Sequence, residues 1–250
     1  MPRVLIAGLG LIGGSIGIRL RERGWRVSYV DPSVQIEEAL RTQAADEVFE
    51  TVTPDAAHSP DLLVLATPVD VAVTILRGLQ TESVVTSVCS VLAPLRDVDT
   101  SARFVAGHPL AGSEARGLAA ARGHLFEGKP WFVDGDEPLV DEMIAECGAV
   151  RDRVDPREHD AAVALTSHLP QILSTALAAY LGEEHLRFAG SGLRTFLRLA
   201  GSDASVWAPI IDANRENLTP HAEALAKLVQ QVIDGDRTAF ERARKLYEKL

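Results

Sequence analysis

The chain has 250 residues, 46% hydrophobic and 24% charged, which describes an ordinary globular protein long enough for one large or two modest domains with their own cores. Its 25 basic against 35 acidic residues leave a formal net charge of −10, which argues against nucleic acid and anionic membrane surfaces as partners and requires any anionic ligand to be met by local features. Cys89 and Cys147 are too few for a disulfide scaffold and lack metal-ligand spacing, no signal-peptide pattern opens the chain, and no apolar run reads as a membrane span, so a reduced cytoplasmic protein without a metal is expected.

Arg3 to Ala7 is a strand-like apolar run that enters glycines at 8, 10 and 13. Ile12, Ile16, Ile18 and Leu20 then carry the pattern of a buried helix, so the G-x-G-x-x-G spacing lies between a strand and a helix. Gly8 permits the tight turn, Gly10 lets a pyrophosphate approach the backbone, and Gly13 lets the helix pack closely on its strand. The helix N-terminus adds free N–H groups and a partial positive charge. A second strand, Arg26 to Val30, ends in Asp31, eighteen residues past Gly13. A carboxylate there can bind both ribose hydroxyls and repel a 2′-phosphate. Glycines also punctuate ordinary turns, and Asp31 could cap a helix before Pro32, but the whole series points to a dinucleotide, NAD rather than NADP. Leu11 and Ile12 in the loop, with Thr67 and Pro68 beyond the next central strand, belong to the same candidate cofactor set.

Further along, Ile36 to Ala45 reads as a helix and Glu47 to Val52 as a short strand or turn. Asp61 to Thr67 is a continuous apolar run of the kind buried on both faces of a parallel sheet, and Pro68 opens a helix through Leu79. Ser83 to Val88 and Arg103 to Gly107 are further strands, and 131–133 with 149–151 are expected to close the sheet around a helix from Leu139 to Cys147. Alternating strands and helices predict an α/β doubly wound, Rossmann-type parallel sheet over residues 1–154, with ligands beyond the strands' C-terminal ends. From 155 to 250 strand runs disappear and Ala, Leu, Glu and Arg dominate, predicting an all-helical substrate and dimerisation domain. Its many alanines and apolar stripes suggest a homodimer.

The second chemical constellation is Gly107-His108-Pro109-Leu110-Ala111-Gly112-Ser113-Glu114, where a strand ends. Histidine at such an edge faces the nicotinamide crevice and is mostly neutral near pH 7, so it can accept a proton from a hydroxyl as hydride leaves the same carbon. A strand-capping histidine is the plainer alternative. His108-Pro109-Leu110-Ala111-Gly112, Ser167-His168-Leu169-Pro170, and Leu197-Arg198-Leu199-Ala200-Gly201-Ser202-Asp203 with Trp207 together resemble the motifs of the prephenate/arogenate dehydrogenase family, in that family's order and over nearly the full length.

The resemblance implies oxidative decarboxylation of a cyclohexadienol, prephenate or arogenate, with hydride passing to NAD or NADP. It implies that His108 hydrogen-bonds the ring hydroxyl, that Ser90 bonds both His108 and that hydroxyl, and that Arg198 binds a substrate carboxylate through its forked donors, from its own or the partner subunit. Ser113, Glu114, His168 and Gln171 match positions around the substrate. The segment Ser87-Val88-Cys89-Ser90-Val91-Leu92 departs from the family pattern, with Ser87, Cys89 and Leu92 where Asp, Gly and Lys are usual, and Thr195 replaces an acidic residue that could pair with Glu114. His168 precedes Pro170, which must kink its helix. The other histidines, His58, His124, His159, His185 and His221, read as surface or capping residues, and His159-Asp160 as a structural helix opening.

The expected function is an NAD-dependent prephenate dehydrogenase with its active site between the two domains. Arogenate as substrate, a related hydroxyacid or imine-reducing enzyme, and a nucleotide-binding sensor with little catalysis are the alternatives.

Overall fold

The computed structural model describes residues 1–52, 59–112 and 116–249. In chain order the first elements are β1 (Arg3–Ala7), α1 (Leu11–Glu22), β2 (Arg26–Val30), α2 (Ile36–Arg41), β3 (Glu47–Val48), β4 (Leu62–Leu65), α3 (Val69–Gly78), β5 (Val84–Ser87), α4 (Ala93–Arg96) and β6 (Arg103–Val105). There follow β7 (Gly107–Pro109), β8 (Pro130–Val133), α5 (Pro138–Glu146) and β9 (Val150–Arg153). The remainder is helical: α6 (Pro156–Val163), α7 (Leu169–Tyr180), α8 (Ser191–Phe196), α9 (Ala204–Ala213), α10 (Arg215–Ile233) and α11 (Thr238–Tyr247). Two compact units result, residues 1–160 with 201–213, and residues 161–200 with 214–250.

In the first unit six parallel strands run in the order β3-β2-β1-β4-β5-β6, the doubly wound order in which ligands bind beyond the strands' C-terminal ends. Every residue of β4 and β5 is buried. Alternate residues of the central strands feed two cores, as the period of two requires. Val4, Ile6, Val27, Tyr29, Leu62 and Val64 meet Ile16 and Leu20 of α1 and Met143 and Ile144 of α5. Leu5, Ala7, Leu63, Leu65 and Val85 meet Val69, Ala72 and Leu76 of α3 on the other face, where Trp207 and Ile210 of α9 also pack.

Two expectations need correction. Residues 131–133 and 149–151 do not close the main sheet: β8 pairs antiparallel with β7 and parallel with β9 in a separate three-stranded sheet. The corner is made by Asp134, which accepts the Ala106 amide at 2.8 Å and returns its own amide to the Ala106 carbonyl at 3.1 Å, so the chain leaves the main sheet after β6. The second helix ends at Arg41 rather than Ala45, because Gln43 takes a left-handed φ of 58° and the Ala44 amide reaches back to the Ala39 carbonyl at 2.9 Å. Pro170 is accommodated by a π-helical turn over Ala164–His168, which absorbs the hydrogen bond that proline cannot make.

The run Pro156–Tyr180 is also long and apolar enough to cross a membrane by length and composition, contrary to the reading of the sequence. It carries buried His159, Asp160, His168, Gln171 and Ser174, polar groups that lipid penalises.

Cys89 and Cys147 are both free and buried, and burial pushes each thiol up to about 12. At pH 8 only about 10⁻⁴ of either is thiolate, the reactive form. The folded protein is therefore expected to resist iodoacetamide at pH 8 while the urea-unfolded chain takes up two labels. Rapid labelling of the native protein, read by intact mass, would contradict this burial.

Candidate active site

The cofactor end is built at the C-terminal ends of β1, β2 and β4. Gly8 has a φ of +94°, and a Cβ on it would stand 2.6 Å from the Ala66 carbonyl oxygen. A Cβ on Gly13 would stand 2.0 Å from the Gly8 carbonyl oxygen and 3.0 Å from Ile6 Cγ2. Both positions must be glycine for the protein's own packing. Gly10 differs: nothing lies within 4 Å of where its Cβ would be. It is the N-cap of α1, has no side-chain cap, and is followed by a first turn without acidic residues. A glycine left open at the N-terminus of a twelve-residue helix fits a pyrophosphate.

Asp31 closes this loop. Its Oδ2 accepts the Leu9 amide at 2.8 Å, and its Oδ1 accepts both the amide and the hydroxyl of Ser33, at 2.8 and 2.6 Å. A carboxylate has about four acceptor positions, so it retains capacity for a ribose hydroxyl. Leu11 and Ile12 are half-buried in the first turn of α1, and Pro68 caps α3. Thr67, beside it, places its amide nitrogen 3.0 Å from the position of a Gly8 Cβ. The proposed cofactor residues are thus brought together around the glycine loop.

His108 is the middle residue of β7, opposite Phe132 of β8, and is half-buried. Its Nδ1 lies 3.0 Å from Nε2 of His159, whose Nδ1 lies 2.8 Å from Oδ1 of Asp160. Oδ1 also accepts the Leu92 amide and Oδ2 the Ala93 amide, both at 2.9 Å. His159 and Asp160 are each 2% exposed, which corrects the reading of His159 as a surface or capping residue. The signal that could have found them is an Asp directly after a His at the start of the helix that follows the last strand. His124 and His185 are exposed and His221 is half-buried, while His58 lies outside the described residues.

The atypical segment before α4 is internally consistent. Ser87 is fully buried, and its hydroxyl accepts the Gly107 amide at 3.2 Å, tying β5 to the residue before His108. Cys89 directs its thiol to the Thr67 carbonyl at 3.7 Å, and Leu92 is fully buried in the apolar cluster under α3. Ser90 lies half-buried among them.

In the helical unit His168 is 1% exposed, and its Nδ1 accepts from Nδ2 of Asn214 at 3.0 Å, a partner the sequence did not suggest. Gln171, 3% exposed, donates to the Leu199 carbonyl at 2.8 Å and to the Thr175 hydroxyl at 3.1 Å. Ser174 donates to the Phe196 carbonyl at 2.9 Å and accepts the Ala200 amide at 3.1 Å. Together they hold the tight turn Leu197–Gly201, from which Arg198 projects as an exposed residue. Ser113 and Glu114 lie outside the described residues. Among the described residues no group of three or more His, Cys, Asp or Glu is placed to hold a metal.

Residues 16–149 match the family model described as prephenate dehydrogenase, nucleotide-binding domain, and residues 155–242 match the one described as prephenate dehydrogenase, dimerization domain. The chain belongs to the prephenate dehydrogenase family. It is accordingly a dehydrogenase, an oxidoreductase with a nucleotide-binding Rossmann domain. A protein named probable prephenate dehydrogenase NovF, from Streptomyces niveus, is 32% identical over 99% of this chain and 74% of its own length. The prephenate dehydrogenase of Bacillus subtilis is 29% identical over 86% of this chain and 65% of its own. Among solved structures, the A. aeolicus prephenate dehydrogenase in complex with hydroxyphenyl propionate and NAD+ superposes with a TM-score of 0.85 at 27% identity, covering 100% of this chain and 97% of that one.

The glycine geometry separates two roles in one loop. Gly13→Ala should destabilise the protein by about 2–3 kcal/mol or more through overpacking against backbone, in urea melts. Gly10→Ala should leave the melt nearly unchanged and weaken NADH binding, followed by fluorescence, at least tenfold. Equal stability losses in the two variants would contradict this division.

Proposed function

We propose that this chain is an NAD-dependent prephenate dehydrogenase, converting prephenate to 4-hydroxyphenylpyruvate and carbon dioxide in the route to tyrosine. The observation that carries the reading is His108: half-exposed on β7, in a family match that spans both units, and held through Nδ1 by the buried ring of His159. Bound NAD supplies the hydride acceptor. The chain's own residues do the rest. His108 accepts the hydrogen bond of the ring hydroxyl and stabilises the positive charge that grows on that carbon as hydride departs, and Ser90 bonds the same hydroxyl. Loss of the ring carboxylate as carbon dioxide then leaves the aromatic phenol, and the atoms balance without net proton release. Arg198 binds a substrate carboxylate through its guanidinium, and His168, Gln171, Ser113 and Glu114 shape the substrate's surroundings.

Asp31 gives the preference for NAD, since its charge and its bonds to Leu9 and Ser33 leave no place for a 2′-phosphate. Prephenate is favoured over arogenate by the curated relatives named above. We further propose a homodimer formed through the helical unit, supported by the dimerization-domain match and by large exposed apolar side chains there: Tyr180 at 88%, Phe188 at 73%, Ile233 at 71% and Tyr247 at 77%. A cytoplasmic location suits two free, buried cysteines.

Purified protein given NAD and prephenate should form NADH, with little product from arogenate, and His108→Asn should lower kcat by about 10³-fold with NAD binding retained. NAD binding without turnover on either compound would instead support a nucleotide-binding sensor. Asp31→Ser should bring kcat/KM for NAD and NADP closer together by at least tenfold. Unchanged selectivity would remove the assignment of Asp31.

A further inference from the structure

We propose that His159 and Asp160 are positioning residues that fix the tautomer of His108. The inference rests on the reading of His108 as the group that meets the substrate hydroxyl, and it concerns how that nitrogen comes to carry a lone pair.

The direction of the hydrogen bonds follows from the buried end of the chain of groups. The Leu92 and Ala93 amides can only donate, and they occupy both oxygens of Asp160, one each, at 2.9 Å. An ionised carboxylate can only accept, so Asp160 accepts from His159 at 2.8 Å and holds the His159 proton on Nδ1. The Nε2 of neutral His159 is then a lone pair, and at 3.0 Å it can only accept from Nδ1–H of His108. The His108 proton is thereby kept on Nδ1, and its Nε2 presents a lone pair. Free histidine in water prefers the opposite tautomer, with the proton on Nε2, which would offer the substrate hydroxyl a donor where an acceptor is required. A carboxylate that holds an imidazole in its productive tautomer is a recognised catalytic arrangement. Here the carboxylate acts through a second imidazole.

The arrangement also assigns a purpose to the segment at 92–93. Those two amides lie at the start of the four-residue helix α4, and they aim Asp160 from outside its own helix. A packing role for the same residues is a real competitor, because the His159 ring stands edge-on to His108 at 5.1 Å between centroids and against Phe132 at 5.5 Å. His159→Phe separates the two, since it keeps a ring in place and removes the acceptor.

The test is nitrogen-15 NMR of histidine-labelled protein without ligands, with the His108→Asn spectrum used for assignment, alongside steady-state kinetics. In the wild type both His108 and His159 should appear with the proton on Nδ1. In His159→Phe, His108 should move toward the Nε2–H form, with kcat lowered about 10²-fold and KM for prephenate and the affinity for NADH changed less than about threefold. His159→Gln, whose amide oxygen can stand where Nε2 stands, should recover part of kcat. A wild-type His108 protonated on Nε2 overturns the proposal, as does an unchanged tautomer and kcat in His159→Phe. The wild-type spectrum needs neither a stable variant nor turnover. If the protein turns over neither prephenate nor arogenate yet shows the Nδ1–H form, the functional reading fails and the relay stands.

Discussion

The closest constraint in the molecule is backbone against backbone. Helix α1 lies so near the loops around it that a single methyl group at Gly13 would fall 2.0 Å from the Gly8 carbonyl oxygen, and one at Gly17 would fall 2.0 Å from that of Ala44. Gly8 in turn abuts the Ala66 carbonyl beyond β4. Three glycines therefore set how α1 sits over β1, the strand that pairs with β2 on one side and β4 on the other. The cofactor loop is the by-product of that approach: once α1 is seated, its N-terminus opens at Gly10 over the strand ends. The glycines that packing requires and the one left open at the helix N-terminus thus lie within six residues of one another.

Much of this was legible because it is written in local patterns. A strand running into a glycine loop, a buried helix and a second strand ending in Asp31 needs no long-range information, and the family motifs containing His108 and Arg198 are contiguous. What escaped is what depends on distant residues meeting. The separate sheet of β7, β8 and β9 looked like an extension of the main one, because strand periodicity says nothing about which edge a strand joins, and the Asp134 corner that diverts the chain is a contact across twenty-eight residues. His159 looked ordinary because its partner lies fifty-one residues earlier. Asn214 was invisible for the same reason, and Gln171, read as a substrate contact, also turned out to brace the turn that carries Arg198.

The three residues that depart from the family pattern around Ser90 follow a common logic. Each is buried: Ser87 and Leu92 fully, Cys89 at 5%. A charged pair at those depths would need mutual compensation and full hydrogen bonding to be tolerated. This chain instead has a hydroxyl bonded to the Gly107 amide, a thiol turned to a carbonyl, and an aliphatic side chain in the apolar cluster. The electrostatics of this segment are therefore simple, and the carboxylate that bonds its backbone, Asp160, comes from the helix after β9.

In the function proposed above, Asp31 joins two roles that are usually discussed separately. Its Oδ2 is the acceptor for the Leu9 amide, in the turn between Gly8 and Gly10, so the side chain proposed to set cofactor choice is also a brace of the glycine loop. An unsatisfied amide in that turn would cost about 1–3 kcal/mol if it were shut away from water. Any natural or engineered drift of this chain toward a phosphorylated cofactor is therefore constrained in a way charge alone does not suggest. The negative charge at position 31 can be surrendered, but an oxygen must remain within reach of Leu9, which leaves a short polar side chain such as asparagine as a far narrower gateway than the chemistry of the ribose would imply.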